Sequence, residues 1–419
     1  MRTEIFATIC FGLALLHTFS VKRFQYLAHQ YPNGSVGENF FHLLGEIEVV
    51  FGIWALIFIG YIGFTNGTKA AIEYLEMQNF TEPIFVFVIM AVCSTRPILE
   101  IAYLIIGFVS KVIPLKGQIP FYFACLTVGP LLGSFITEPA AMTVTALILL
   151  ERFYKNSTTE KLKYATLGLL FVNISIGGTL TPYAAPPVLM VASKWNWDLM
   201  FMLTNFGWKA IIAVLCSTSI ITFKFRKELG QIKPNKLTKT SLKIPLWVSV
   251  VHLVFLSTIV LTSHHTVAFV GIFLFFLGLT AVTKEYQDEV KLRDGLLVGF
   301  FLAGLVILGG PQRWWLEPIL SKLDVLPLYL GGMTLTAITD NAALTYLGSQ
   351  VPSLSEAARY ALVAGSVVGG GLTVIANAPN PAGYGILNSS IGKEGISPLQ
   401  LFISAVPPTI VSAICFWFL

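Results

Sequence analysis

Ile136-Thr137-Glu138-Pro139-Ala140-Ala141 returns later in the chain as Ile338-Thr339-Asp340-Asn341-Ala342-Ala343. A second pair follows in the same order. Gly177-Gly178-Thr179-Leu180-Thr181, with Ala184-Ala185-Pro186-Pro187 behind it, returns as Gly369-Gly370-Gly371-Leu372-Thr373, with Ala376-Asn377-Ala378-Pro379 behind it. Each copy sets an acid, or helix-breaking Gly and Pro, inside apolar sequence. Interrupted apolar segments in matching positions of two halves are the sequence pattern of a transporter binding site.

Composition sets the solvent. Hydrophobic residues make up 55% of the 419 and charged residues only 12%, about half the share of a soluble domain. The mean hydropathy is +0.75. The length allows roughly a dozen membrane segments of ~20 residues. The net charge of +5 does not point to nucleic acid, because the basic residues lie in loops between apolar runs. Cys10, Cys93, Cys125, Cys216 and Cys415 all fall in apolar stretches without a Cys-x-x-Cys pair, so they are expected to be small buried hydrophobes. The histidines have no metal spacing either, and no metal beyond a transported Na+ is expected.

Apolar runs cover 4–20, 41–63, 83–109, 119–150, 164–194, 204–223, 244–263, 266–283, 295–311, 325–350, 359–392 and 400–418. Runs 119–150 and 325–350 are interrupted at their acids and are expected to be re-entrant hairpins. Runs 164–194 and 359–392 are interrupted by Gly and Pro and are expected to be discontinuous transmembrane helices. Non-helical backbone at membrane depth must be buried in protein or line a water-filled cavity.

Loop charge gives orientation. Lys224, Arg226, Lys227, Lys233, Lys236, Lys239 and Lys243 stand against Glu228 alone, so loop 224–243 is expected to be cytoplasmic. Lys22-Arg23, Lys111, Lys116, Arg152, Lys155, Lys161 and Lys163 mark further inside loops, and Glu73, Glu76 and Glu82 against Lys69 fit the outside. Counting through, residues 1–223 give three spans, a hairpin entering from inside, a broken span and one more span. The basic linker 224–243 follows. Residues 244–419 repeat the series with the hairpin entering from outside and the C-terminus outside. The expected fold is therefore an all-α polytopic membrane protein of two inverted-topology repeats. Arg2 and the apolar run after it resemble a signal peptide. No small-x-small site precedes Lys22-Arg23, however, and the repeat needs this segment, so it is expected to be retained.

Glu138 and Asp340 are the first candidates for chemistry. A carboxylate at the bilayer centre costs roughly 2.5–3.5 kcal/mol, and here two stand at symmetric positions. Hard cations prefer oxygen ligands, which Thr137, Thr143, Thr339, Asn341 and Thr345 also supply. One acid can hold either a proton or a cation, the simplest route to exchange. The plainer reading is that both acids only cap half-helices, and the two roles are compatible. Gly177, Gly178, Gly369, Gly370 and Gly371 can unwind a helix, with Pro186, Pro187 and Pro379 ending each gap. Thr181, Thr373, Asn377 and Asn380 offer neutral oxygens there, and half-helix ends add oriented partial charge. The plainer reading of the glycines is close helix packing. Glu46, Glu48, Arg96 and Glu100 lie outside the repeated motifs and suit either a salt bridge between helices or a proton path. Trp195, Trp197, Trp314 and Trp315 are expected to be interfacial anchors.

The hairpin tips Thr137-Glu138-Pro139 and Thr339-Asp340-Asn341, with the segments Gly177–Pro187 and Gly369–Asn380, resemble the ion transporter superfamily. That superfamily includes type-D sodium/proton antiporters, arsenite-efflux permeases and sodium-coupled carboxylate carriers. Asp340-Asn341 is similar to the Asp-Asn of the antiporter branch, and the chain most resembles the group called "putative Na+/H+ antiporter". The likeness runs along the whole membrane region by architecture and about forty residues by motif. It implies that two opposed hairpin tips and two unwound helices form the ion site, and it allows a homodimer. The first tip departs from the pattern with Glu-Pro, and neither tip has the Ser-Asn-Thr of the carboxylate carriers.

The leading expectation is a secondary antiporter exchanging Na+ for protons, with no cofactor, in a bacterial inner membrane. The alternatives are a sodium-coupled carrier of a dicarboxylate or other anion, and an arsenite permease. Two acids would repel an anion unless Na+ neutralised them, and Arg96 is the only basic residue deep in a span. An enzyme is not expected. No His-Glu-x-x-His is present, and an aspartyl protease would not need broken helices in both halves. No phosphate-binding glycine loop with Lys-Ser/Thr is present, so an ion gradient is the expected energy source.

Overall fold

The computed structural model describes residues 2–155, 158–232, 244–391 and 395–419. Lys233, Pro234, Lys236, Lys239 and Lys243 of the expected linker lie outside the described residues. Among the described residues every regular element is helical. The chain opens with α1 (Arg2–Ala28), α2 (Val36–Leu44), α3 (Val50–Asn66), α4 (Thr68–Glu76), α5 (Thr81–Cys93) and α6 (Arg96–Val112). It continues with α7 (Ile119–Ile136), α8 (Glu138–Leu149), α9 (Glu160–Gly177), α10 (Pro186–Trp195), α11 (Leu199–Met202), α12 (Trp208–Lys224) and α13 (Arg226–Gln231). Next come α14 (Leu246–Leu261), α15 (Thr266–Val282), α16 (Leu292–Gly309) and α17 (Arg313–Leu320). The chain closes with α18 (Val325–Thr336), α19 (Asn341–Ser349), α20 (Glu356–Gly369), α21 (Asn380–Asn388) and α22 (Pro398–Phe418).

Among the described residues, six helical stretches are long and apolar enough to cross a membrane. They are Thr3–Ala28, Ile47–Asn66, Ile119–Ile136, Leu199–Lys224, Leu292–Leu320 and Pro398–Phe418. The bent pair of α4 and α5, at 64°, makes a seventh if taken as one span, and α14, α15 and α18 are shorter apolar helices. The protein is an integral membrane protein of many helices.

Three segments depart from the expected spans, the first being run 41–63, which is divided between the end of α2 at Leu44 and α3 from Val50. Run 83–109 is not one helix but α5 and α6, because Thr95 adopts extended backbone as the cap of α6 and Pro97 sits in its first turn. Proline has no N–H for a continuing helix and disfavours helical backbone before it. The outside loop 64–82 contains a helix of its own, α4. Elsewhere the helix starts follow their caps. The hydroxyls of Thr159 and Ser355 accept from the N–H of Leu162 and Ala358, opening α9 and α20.

The chain divides into two compact units, neither of which is a sequence half. One comprises Met1–Val88, Leu292–Leu323 and Tyr346–Leu354; the other comprises Ile89–Lys291, Asp324–Thr345 and Ser355–Leu419. In the first, α3 and α16 cross at Gly52 and Gly304, where a Cβ on Gly304 would lie 2.5 Å from the Gly52 nitrogen. In the second, α18 packs along α20 and α9 along α22. A Cβ on Gly365 would lie 2.1 Å from the Tyr329 carbonyl oxygen, and one on Gly168 would lie 2.5 Å from the carbonyl carbon of Ser404. Lipid gives helices little hydrophobic reason to associate, so backbones brought this close supply the dispersion that lipid contact would otherwise give.

Cys10, Cys93, Cys125 and Cys415 are buried as expected, but Cys216 is exposed on α12. An apolar stretch in a membrane protein faces lipid as readily as core, so apolar sequence alone does not predict burial. Trp197 is likewise not an interfacial anchor. It is buried, stacked on Phe201 at 4.7 Å and beside Trp195 at 5.1 Å.

Gly365→Ala should lower the thermal midpoint in detergent, by the roughly 1–3 kcal/mol typical of overpacking. Gly271→Ala, where the added methyl would meet nothing within 4 Å, should leave it unchanged or raise it. Equal midpoints for the two variants would show that the backbone approach at Gly365 does not limit packing.

Candidate functional site

The repeated motifs meet within the second compact unit. α9 runs to Gly177, makes one 3-10 turn over Gly178–Leu180 and leaves helical backbone at Thr181 (φ −126°, ψ 155°). α10 restarts at Pro186-Pro187, first-turn positions where a missing N–H costs little. The second copy behaves alike: α20 ends at Gly369, and α21 begins at Asn380 behind Pro379.

Both breaks dock in the same way on the helix preceding the acid. A Cβ on Gly177 would lie 2.6 Å from the Pro130 carbonyl oxygen of α7, and one on Gly369 would lie 2.3 Å from that of Met333 in α18. Past each break a threonine ties down the end of that same helix. Thr181 Oγ1 donates to the Ser134 carbonyl (2.6 Å) and Thr373 Oγ1 to the Ala337 carbonyl (2.9 Å).

The tips themselves differ. α7 turns into α8 at Thr137, which holds φ 70° and ψ 152°. Positive φ in a β-branched residue costs of the order of 1–3 kcal/mol and persists where the surroundings dictate it. The turn delivers Glu138 as the first residue of α8 with no solvent exposure. Its Oε2 accepts from Asn377 Nδ2 at 2.8 Å, a link from the first tip to the second break. Among the described residues, its Oε1 has no hydrogen-bond partner, nor has Thr137 Oγ1 or Asn377 Oδ1. A Cβ on Gly178 would lie 2.4 Å from Oε1, so only glycine there leaves the carboxylate its place.

At the second tip, Asp340 is half-buried and accepts at Oδ1 from the Ala343 N–H (3.0 Å), capping α19. It lies within Coulomb range of Glu138. Asn341 is fully buried, and its N–H donates to the Ala376 carbonyl (3.1 Å). Neither its Oδ1 nor its Nδ2 has a partner, and Nδ2 lies 2.8 Å from a Cβ on Gly370. Asn380 Nδ2 donates to the carbonyls of Gly370 (2.7 Å) and Thr373 (2.8 Å), while its Oδ1 is unpartnered.

Among the described residues, no Lys, Arg or His pairs with Glu138. An ionised carboxylate in that position is costly unless neutralised. A proton on Oε1 would remove the charge. A cation at Oε1 would balance it, and Thr137, Asn377 and Asn380 carry further buried oxygens with unused acceptor capacity.

Three of the threonines expected to supply oxygens also donate their hydroxyl protons within their own helices. Thr143, Thr339 and Thr345 donate to the carbonyls of Pro139, Leu335 and Ala342. Gly371 is a packing glycine, with a Cβ there only 2.4 Å from the Val172 backbone. Glu46 meets Arg293 at 3.8 Å in the first unit, the salt-bridge reading of that residue. Glu48 lies in the same unit, and Arg96 and Glu100 are half-buried on α6 in the second.

Two residues went unnoticed in the sequence. Buried Ser134 donates to the Gly177 carbonyl (2.6 Å) and accepts from the Leu180 N–H (2.9 Å), fixing the first break. Asn173 bonds the Leu126 carbonyl and Thr218, and accepts from Ser217. Ser134 stands three residues before the tip, where the second copy has Thr336, a hydroxyl shared by both copies that could have marked it. Ser134→Ala would strand two buried backbone groups and should cost about 1–3 kcal/mol on thermal or denaturant unfolding. Ser110→Ala, whose half-buried hydroxyl bonds only the Gly107 carbonyl within α6, is the control and should leave stability nearly unchanged.

A family model described as "Putative Na+/H+ antiporter" matches residues 2–419. Among solved structures, the crystal structure of the YdaH transporter of Alcanivorax borkumensis aligns with 88% of this chain and 96% of its own, at 14% identity and a TM-score of 0.45. A likeness of that degree carries no argument here. No curated protein matches the chain. The family match spans nearly every residue, from α1 to the end of α22, and the chain belongs to that family of membrane transporters.

Proposed function

We propose that the protein is a secondary antiporter exchanging Na+ for protons, with Glu138 as the group the two ions share. The observation that carries this reading is the wholly buried Glu138 carboxylate, with one oxygen held by Asn377 and the other unpartnered. Such an oxygen favours a proton or a metal cation. Because one site serves both, binding of one ion expels the other, and that exclusion is the coupling.

In this reading α7–α8 and α18–α19 are re-entrant hairpins of two inverted repeats, entering from opposite faces. The matched docking of Gly177 with Thr181, and of Gly369 with Thr373, supports a common origin of the two breaks. Carbonyl ends of α9 and α20 face the gaps and favour a cation. Asn377, Asn341 and Asn380 supply neutral oxygens, and Asp340 adds charge at a distance while capping α19. The basic loop 224–243 is cytoplasmic and the C-terminus is outside. The two half-built orientations give alternating access to Glu138. Assembly as a homodimer in a bacterial inner membrane completes the reading.

Purified protein in liposomes with an internal pH dye should move protons when Na+ is added against a pH gradient. Glu138→Gln should reduce this to the level of protein-free liposomes. Asp340→Asn should keep part of it, because asparagine also caps a helix. Full activity in Glu138→Gln, with correct folding shown by its elution profile, would sink the proposal.

Na+ should also raise the thermal midpoint of the wild type, by up to about 2.7 kcal/mol at a hundred times its dissociation constant. It should not do so in Glu138→Gln. Where the acid is protonated, the apparent Na+ affinity should fall about tenfold for each unit of falling pH, the mark of one proton competing for one site. A pH-independent affinity would separate the proton from the sodium site.

A further inference from the structure

One end of the second unit carries a cluster that the exchange site does not use. Where α10 ends and α12 and α20 begin, the rings of Trp195, Trp197, Phe206 and Tyr360 run in a chain. Their successive centroids are 5.1, 5.4 and 4.9 Å apart. A cation lies over each end of this chain. The Arg359 guanidinium is 5.4 Å from the Trp195 ring, and Lys209 Nζ is 4.5 Å from the Tyr360 ring.

Lys209 has a defined and incomplete set of partners. Its ammonium donates to Tyr360 Oη at 2.9 Å, and Tyr360 in turn donates to the Phe416 carbonyl at 2.6 Å. The tyrosine proton is thus committed and its oxygen can only accept from the lysine. Lys209 has three donors, and among the described residues no carboxylate comes within ion-pair distance of it. Asp198 caps α11 through the Phe201 N–H (2.7 Å), and Glu356 is exposed in the first turn of α20. A half-buried ammonium with two donors unspent favours an anion.

The surface beside Lys209 says which kind. On α12, residues 209, 212, 216, 220 and 223 share one face at helical spacing. Ile212, Ile220 and Phe223 are exposed large hydrophobics, and Cys216 between them is exposed as well. Trp208, half-exposed at the top of this face, keeps its indole N–H on the Thr204 carbonyl (2.9 Å). Aromatic side chains with one polar end mark the membrane–water interface. A positive head with an apolar track descending from it is complementary to a lipid carrying a negative headgroup.

We propose that Lys209, held in place by Tyr360, forms a site for the phosphate of an anionic phospholipid whose acyl chain lies along Ile212, Cys216, Ile220 and Phe223. Contacts of a juxtamembrane Lys or Arg with anionic lipid are worth about fivefold in affinity each.

Native mass spectrometry of the detergent-purified full chain tests this with phosphatidylglycerol, phosphatidylcholine and inorganic phosphate as probes. The wild type should retain phosphatidylglycerol over phosphatidylcholine, and Lys209→Gln should lower that retention about fivefold. Lys209→Arg should restore most of it, which a variant that merely misfolds would not allow. Lys69→Gln, an exposed lysine in the first unit, should change nothing. Equal retention by Lys209→Gln and wild type, or equal retention of the two lipids, would overturn the proposal. Displacement of phosphatidylglycerol by millimolar inorganic phosphate would overturn the lipid assignment in favour of a soluble anion. None of these outcomes depends on Na+ or on Glu138, so the site stands or falls apart from the exchange reading.

Discussion

The arrangement around Glu138 depends on one constraint: a carboxylate with no solvent exposure, and with no basic partner among the described residues, has to be made tolerable by dipoles and space. Asn377 gives one amide hydrogen bond. The first turn of α8 gives partial positive charge from its unpaired N–H groups. Neither matches the solvation of an ion in water. A counter-charge such as arginine would solve the problem permanently and leave an inert ion pair. Leaving it half solved means that the stability of this region depends on what occupies the second oxygen. On the proposed function, that dependence is what couples the two ions.

The same constraint explains the backbone around the site. Gly178 has no side chain because its Cβ would occupy the place of the Glu138 carboxylate. The break in α9 must sit where it does because Gly177 has to approach the Pro130 carbonyl. Ser134 then takes up the carbonyl and amide that the break leaves without helical partners. Thr137 accepts an unfavourable φ so that the acid enters α8 at its first residue rather than a turn later. Strain, glycine and small hydroxyls thus serve one carboxylate.

Much of this was legible before any coordinates. Acids, glycines and prolines in apolar sequence are costly wherever they occur, so their recurrence in order located both breaks and both tips. Partner choice was not legible. Thr143 and Thr345 each lie five residues beyond their acids, and their hydroxyls bond their own helices. A helix offers any interior threonine a carbonyl one turn back, and only the three-dimensional path shows whether that offer is taken. The break at Ser94–Thr95 escaped notice because Pro97 in a first turn looks no different from a proline tolerated inside a longer span. The exposed Cys216 escaped because hydropathy does not distinguish lipid from protein interior, and the buried Trp197 because a place near the end of a span does not tell which way the ring turns.

The asymmetry of the two tips follows from what each position is asked to hold. Pro139 has no N–H, whereas Asn341, its counterpart, uses that N–H to reach the Ala376 carbonyl in the second break. The second tip is therefore pinned to its break through the backbone, and its acid is left to cap α19. The first tip lacks that pin and crosses through its side chain instead, from Glu138 to Asn377. Glutamate has the extra methylene that such a reach needs, and an aspartate at 138 would sit about one bond length shorter. An exact copy of one tip in both halves would give two backbone pins and no cross-link, or two cross-links competing for one asparagine. The sequence difference between the two tips is thus the feature that ties the first tip to the second break.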